Sequence, residues 1–86
     1  MSTDPLLPDP AAPSATDRRL IHQANQIAAY FAAYPAPRAE EGVEQHIRRY
    51  WDPRIRLRLA RLPDEPLHPL VRKAVASLRR DAQAGD

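Results

Sequence analysis

Apolar residues recur along this chain at intervals of three and four positions, which is the spacing that places side chains on one face of an α-helix. The first such stripe follows Asp17 and consists of Leu20, Ala24, Ile27, Ala28 and Phe31. Thr16 is expected to cap this helix, since a threonine hydroxyl accepts hydrogen bonds from free backbone N–H groups. A residue that precedes proline avoids the helical conformation. The pattern therefore predicts a first helix that begins at Asp17 and stops at Tyr34, before Pro35.

A second stripe predicts a helix over about 38–50. Its apolar members are Val43, Ile47, Tyr50 and Trp51. Two glutamates, at 40 and 41, are expected in its first turn, and two arginines, at 48 and 49, in its last turn, which is the order of charge that the helix dipole favours. Gly42 lies inside this helix, where glycine costs about 1 kcal/mol relative to alanine. It fits a close packing of the backbone, a weak point or a later start of the helix.

The segment Trp51-Asp52-Pro53-Arg54 carries the clearest local signal. Asp52 suits the N-cap position, and Pro53 suits the first helical position because it has no N–H group to leave unpaired. A third, shorter helix is predicted to follow. Its apolar side is expected to contain Ile55, Leu59 and Leu62.

The last helix is predicted to begin near Pro69, after a linker at 63–66. Its buried stripe is expected to contain Leu70, Val71, Ala74, Val75 and Leu78. Two glycines, ten prolines and few β-branched runs argue against a sheet. The predicted fold is all-α: a single domain over 17–82 that forms a small orthogonal bundle of about four short helices. Residues 83–86 are expected to fray at the carboxyl terminus.

The amino-terminal segment 1–16 differs in composition. It holds four prolines, and its only large apolar residues after Met1 are Leu6 and Leu7. Such a segment cannot bury enough apolar surface to offset the entropy of ordering, so a disordered tail is predicted. It lacks the basic and long apolar stretches of a signal peptide, and no apolar run in the chain approaches the roughly 20 residues of a membrane span. We therefore expect a cytoplasmic protein that makes no membrane contact.

The part that remains to fold is small. About 70 residues follow the tail, and an isolated core of that size is only marginally stable. The chain has no cysteine, which excludes disulfides, iron–sulfur ligation and thiol catalysis. A partner protein is the remaining source of stability.

No residue pattern indicates catalysis or a metal site. The three histidines are far apart in the sequence: His22 lies in the first predicted helix, His46 in the second, and His68 just before the last. None has a histidine or carboxylate four residues later. Local hydrogen bonding is therefore their expected role, rather than metal ligation. Most hydroxyl residues lie in or beside the tail, and the two glycines form no phosphate-binding loop. We predict no catalytic residue, no metal ligand and no cofactor-binding residue in this chain.

Positive charge is concentrated in one region of a chain whose formal net charge is +2. Segment 48–61 contains six arginines and one acid. Arginine pairs in a bidentate manner with carboxylates and phosphates, so the segment is a candidate binding surface, although a GC-rich genome would give the same preference for arginine over lysine. The candidate partner-binding residues are Trp51, Asp52, Arg54, Arg56, Arg58 and Arg61.

The arginine cluster fits a protein partner better than a nucleic acid. Its charge and the neighbouring aromatics Tyr50 and Trp51 are typical of nucleic-acid-binding surfaces. However, both aromatics also fit the apolar stripe of the second helix, and the third helix has no Asn, Gln or Ser to read bases. A small basic nucleic-acid-binding protein is the alternative function, and a merely solvated face is the third interpretation of the cluster.

A set of short motifs follows in order along about residues 20–80. The motifs are Ala24-Asn25-Gln26-Ile27-Ala28, Tyr30-Phe31, Tyr34-Pro35, Gly42-Val43, His46-Ile47, Tyr50-Trp51-Asp52-Pro53-Arg54-Ile55-Arg56, and Leu70-Val71 with Ala74. This ordered set resembles the delta subunit of NAD-dependent formate dehydrogenase. The chain departs from that family at Gln23, Tyr50 and Ile55, where the family often has Met, Phe and Met, and these exchanges do not change the resemblance.

The resemblance implies an accessory subunit of a cytoplasmic, bacterial multisubunit enzyme that oxidises formate to carbon dioxide and reduces NAD⁺. The molybdenum or tungsten bis-pterin cofactor, iron–sulfur clusters and FMN of such an enzyme are expected in its other subunits. The expected partners are those other formate dehydrogenase subunits, first among them the large catalytic subunit. The implied role is to support assembly, stability or maturation of the complex.

Overall fold

Four α-helices joined by short connections form the protein in a computed structural model that describes residues 14–84. They are α1 (Ala15–Phe31), α2 (Ala36–Tyr50), α3 (Pro53–Ala60) and α4 (Pro69–Ala84). No strand occurs in this described part, so the predicted all-α fold of four helices is confirmed. The predicted tail lies outside the described residues except for positions 14–16. Positions 83 and 84, which were expected to fray, are helical, and 85–86 lie outside the described range.

Helix α1 begins two residues earlier than predicted, and its cap is Ser14 instead of Thr16. The Ser14 hydroxyl accepts a hydrogen bond from the Asp17 backbone N–H at 3.0 Å, and the Asp17 carboxylate accepts one from the Ser14 N–H at 3.3 Å. This reciprocal capping box satisfies two free N–H groups. The prediction of Thr16 was wrong because at Ser14 the residue three places later, Asp17, returns a hydrogen bond, so that this cap satisfies two N–H groups instead of one. For Thr16 the residue three places later is Arg19, whose side chain has no acceptor.

Helix α2 also begins earlier than predicted, at Ala36, with Pro37 in its first turn. Proline is well tolerated there because the first N–H groups of a helix have no partner within the helix. The two glutamates at 40 and 41 therefore lie beyond the first turn, which corrects their predicted position. The arginines at 48 and 49 do lie in the last turn, as expected from the helix dipole.

The hydrophobic core forms where the four helices meet. Its largest fully buried side chains are Val43, Ile47, Leu59, Leu67, Val71 and Val75. Tyr50, which was predicted to continue the apolar stripe of α2, is 68% exposed, so that prediction was wrong. The reason is that α2 ends at Tyr50, and the extended backbone of the next residue turns the chain. As a result Trp51, and not Tyr50, packs against the core.

Asn25 holds the connection between α3 and α4 against α1. Its Nδ2 donates to the Pro66 carbonyl at 2.9 Å, and its Oδ1 accepts from the His68 N–H at 2.8 Å. The His68 Nδ1 in turn accepts from the Leu70 N–H at 3.1 Å, so this histidine caps α4. Because asparagine carries both a donor and an acceptor, one side chain in α1 sets where α4 begins.

Gly42 of α2 lies directly against the Phe31 ring of α1. A Cβ atom added to it would stand 2.5 Å from both Cδ1 and Cε1 of the Phe31 ring. Carbon atoms cannot approach so closely, so the ring would have to move. Of the three interpretations of this glycine, close packing is therefore the one confirmed.

Gly42→Ala is expected to destabilise the protein by about 1 kcal/mol, as the cost of overpacking exceeds the gain in helix propensity. The free energy of unfolding from urea denaturation checks this. Phe31→Leu removes the ring, so Gly42→Ala should cost less in that background than in the wild type. A stabilisation by Gly42→Ala in the wild-type chain would show that the ring does not occupy this space.

No helix within the described residues is long and apolar enough to cross a membrane.

Candidate partner-binding site

Three of the predicted arginines and one leucine lie along one side of α3. Arg54, Leu57, Arg58 and Arg61 follow the spacing i, i+3, i+4 and i+7, which places them on one helical face, and all four are exposed. We call this set the arginine face. Leu57 is 42% exposed in the middle of it. Arginine is enriched at protein–protein interfaces and among the residues that contribute most to binding, which makes this face a candidate contact surface.

Arg54 and Arg61 present exposed guanidinium groups on this face. Within residues 14–84 neither side chain makes a hydrogen bond or an ion pair. Each guanidinium presents a planar set of donors that matches both oxygens of a carboxylate. These two residues therefore give the arginine face most of its capacity to bind an acidic surface.

Arg58 lies on the arginine face but is partly engaged by α1. Its Nε donates to Asp17 Oδ1 at 2.7 Å, and its Nη2 donates to the Ser14 hydroxyl at 3.1 Å. The hydrogen bond from Arg58 is the main reason that the pKa of Asp17 lies below its ordinary value of 3.8. Arg58 thus joins α3 to the capping box of α1, and its replacement would disturb the fold as well as the surface.

Arg56, Trp51 and Asp52 lie at the corner between α2 and α3 instead of on the arginine face. Arg56 Nη1 donates to the carbonyls of Arg48 at 2.6 Å and Trp51 at 3.0 Å, which satisfies the carboxyl-terminal end of α2. The Asp52 carboxylate accepts from the Arg54 N–H at 2.7 Å, so the predicted N-cap of α3 is confirmed. The structure therefore brings together Arg54, Arg58 and Arg61, while the other three candidates build the corner that positions α3.

Leu57 was absent from the predicted site. A groove of about 250 Å³ opens beside it between α3 and α4, with Pro53, Ala60 and Leu78 among its lining residues. The sequence did contain a signal that Leu57 belongs to this face. Leu57 stands three residues after Arg54 and four before Arg61, which is the spacing of one helical face. Leu57 was missed because Ile55, Leu59 and Leu62 already formed the predicted apolar stripe of α3. The sequence alone does not tell whether a leucine outside that stripe is buried or exposed.

A family model for the NADH-dependent formate dehydrogenase delta subunit, FdsD, matches residues 19–75, about two thirds of the chain. The chain belongs to this family. The match covers all of α2 and α3, and so includes the arginine face and the corner. No curated protein and no solved structure matches the chain.

Other arginines of the chain hold its fold together. Arg79 donates to the carbonyls of Ala60 at 2.7 Å and Leu62 at 2.9 Å, where α3 ends. Arg72 donates to the carbonyls at 64 and 65 in the linker. The preference for arginine is therefore partly structural, because its several donors can satisfy two carbonyl groups at once.

The described residues of the chain contain no group of three or more His, Cys, Asp or Glu side chains that could hold a metal ion. His22 pairs with Gln26, with 3.1 Å between their Nε2 atoms. His68 caps α4 as described above. The His46 ring packs against Phe31 and Tyr50, with centroid distances of 6.4 and 4.9 Å. Local hydrogen bonding is thus confirmed for two histidines, and the third makes ring contacts instead.

The stability of the protein is expected to fall on acidification because of Asp17. Its pKa is lowered in the folded protein, so the contact with Arg58 contributes fully above the ordinary value of 3.8 and is lost as the pH falls through the folded pKa. We expect the melting temperature, measured at several pH values across this range, to fall less steeply with decreasing pH for Asp17→Asn than for the wild type. Arg58→Ala should reduce this pH dependence of the melting temperature in the same way. If both variants keep the wild-type pH dependence, the contact between Arg58 and Asp17 is not its cause.

Proposed function

We propose that this chain is a non-catalytic accessory subunit that binds the large catalytic subunit of a cytoplasmic NAD-dependent formate dehydrogenase. In this role it supports assembly, stability or maturation of the complex. The observation that carries the proposal is the match of the delta-subunit family over two thirds of the chain, including every residue of the arginine face.

The iron–sulfur clusters of such an enzyme do not fit this chain. Iron–sulfur clusters are held by cysteine thiolates, and the chain has no cysteine. The described residues also contain no group of three or more His, Cys, Asp or Glu side chains that could hold a metal ion. We therefore assign the iron–sulfur clusters to other subunits, and from the family match we propose that the bis-pterin cofactor, FMN and NAD are bound there as well.

The arginine face is the proposed contact with the large subunit. Arg54 and Arg61 can each pair with a carboxylate of the partner, and Leu57 can fill an apolar recess between them. Charge pairs of this kind strengthen when the surrounding interface excludes water, and the apolar contact provides that exclusion. The proposal therefore requires an acidic surface with an apolar recess on the large subunit.

Deletion of the gene for this chain in its host tests the proposal. NAD-linked formate oxidation in cell extracts should fall, and a plasmid copy of the wild-type gene should restore it. The purified enzyme from the deletion strain then distinguishes the roles. A low yield of complex with normal molybdenum or tungsten content indicates a role in assembly or stability, whereas a normal yield with low metal content indicates maturation. Normal activity, yield and metal content would contradict the proposal.

A further inference from the structure

A second exposed surface joins the carboxyl-terminal halves of α1 and α2. It consists of Ile27, Tyr30, Phe31, His46 and Tyr50, and we call it the aromatic surface. Successive ring centroids lie 5.1 Å apart from Tyr30 to Phe31, 6.4 Å from Phe31 to His46, and 4.9 Å from His46 to Tyr50. Four rings therefore form one continuous row, of which the two tyrosines are 66% and 68% exposed.

A groove of about 370 Å³ crosses this row, lined by Gln26, Ile27, Tyr30, Phe31 and His46. No Lys, Arg, Asp or Glu side chain contributes to the lining. The rings of Tyr30 and Tyr50 do not belong to the hydrophobic core, because both are mostly exposed. Contiguous exposed aromatic surface of this kind typically marks a docking site.

The amino-terminal segment 1–13 has the composition that such a groove binds. It contains Pro5-Leu6-Leu7-Pro8, two prolines that enclose two leucines. Grooves lined by aromatic rings bind proline-rich segments because these segments lose little conformational entropy on binding and because their side chains pack on the ring faces.

The segment is also long enough to reach the groove in the same molecule. It joins the described structure at Ser14, and Gln26 lies twelve residues along α1, which is about 18 Å at the helical rise. Leu7 precedes Ser14 by seven residues, which span about 22 Å in an extended proline-rich conformation. Leu6 and Leu7 can therefore reach the end of the groove nearest to Ser14.

Charge beyond the groove is complementary as well. The segment carries Asp4 on the far side of Pro5, and it contains no basic residue. Arg38 lies over the ring of Tyr34 at 5.3 Å from its centroid, and the Tyr34 ring lies 6.1 Å from that of Phe31. An extended segment that passes through the groove would bring Asp4 towards this arginine.

We propose that residues 5–8 dock in the groove of the aromatic surface of their own chain. The docked segment covers the Tyr30 ring and leaves the arginine face open. This interaction is independent of binding to formate dehydrogenase, so either proposal can fail without the other.

Disulfide trapping in the full-length protein tests the docking, because the natural chain has no cysteine to interfere. Asp9→Cys and Gln23→Cys place one thiol in the segment and one on α1, one turn before the groove. The intramolecular disulfide should form about tenfold faster than in the same pair with Leu6→Ser and Leu7→Ser, which keeps the tether length but removes the docking side chains. Tyr30→Ser should lower the rate to that of this control, with helical content unchanged by circular dichroism.

Equal rates with and without Leu6 and Leu7 would overturn the proposal, because the segment would then meet α1 only by random encounter. A disulfide that joins two chains, at a rate that rises with protein concentration, would overturn the intramolecular form and assign the groove to a second copy. If the rates are equal and Tyr30→Ser instead weakens co-purification with the large subunit, the aromatic surface belongs to that partner.

Discussion

Replacement of Arg54 and Arg61 together by glutamate is expected to abolish binding of this chain to the large formate dehydrogenase subunit. Neither side chain has a partner within residues 14–84, so the replacements remove no hydrogen bond from the fold. Against an acidic partner each replacement removes an attraction and adds a repulsion. We expect binding at least about 100-fold weaker, since loss of a buried interfacial charge pair costs several kcal/mol.

The matched control for this variant is Arg19→Glu with Arg80→Glu, which changes the net charge by the same amount at two exposed positions outside the arginine face. The control should bind like the wild type, and circular dichroism should show unchanged helical content in both double variants. Arg58 is left in place because it pairs with Asp17. If the Arg54 and Arg61 variant still binds normally, the arginine face is only solvated, and the contact must be sought on α4.

Trp51→Ala is expected to cost about 3 kcal/mol of stability, the lower end of the range for tryptophan because its side chain is only half-buried. A domain of this size has a total stability of only about 4–10 kcal/mol, so much of the folded population would be lost on modest heating. The midpoint of urea denaturation, followed by circular dichroism, measures the effect.

The neighbouring residue provides the control for Trp51. Tyr50→Ala removes an aromatic ring that is 68% exposed, and it should change stability by less than about 0.5 kcal/mol. If Trp51→Ala leaves the stability nearly unchanged but abolishes binding to the large subunit, then Trp51 anchors the interface instead of supporting the core.

Local chemistry explains which elements could be predicted from the sequence. The start of α3 follows from two adjacent residues, because Asp52 accepts the Arg54 N–H and Pro53 needs no donor partner. The core positions of α2 and α4 follow from helical periodicity, which placed Ile47 and Val75 correctly. In both cases the decisive interactions lie within one turn of helix or on one helical face.

Tertiary contacts explain what could not be predicted. Arg56 has the same sequence character as its neighbouring arginines, but only the packing of α2 against α3 directs it to the carbonyls of Arg48 and Trp51. Tyr50 fits the apolar stripe of α2, yet the helix ends at that residue. Leu57 differs from the buried Leu59 only in the side of α3 that it occupies, and that side is fixed by the neighbouring helices.

Purification of a tagged copy of this chain from its host, under native conditions, is the most direct test of its role as a formate dehydrogenase subunit. We expect the large catalytic subunit to co-purify in stoichiometric amount together with NAD-linked formate oxidation, and to be absent when Arg54 and Arg61 are replaced by glutamate. A chain that purifies without any formate dehydrogenase subunit would contradict this role. So would a chain that purifies with nucleic acid, released with the steep salt dependence of phosphate contacts.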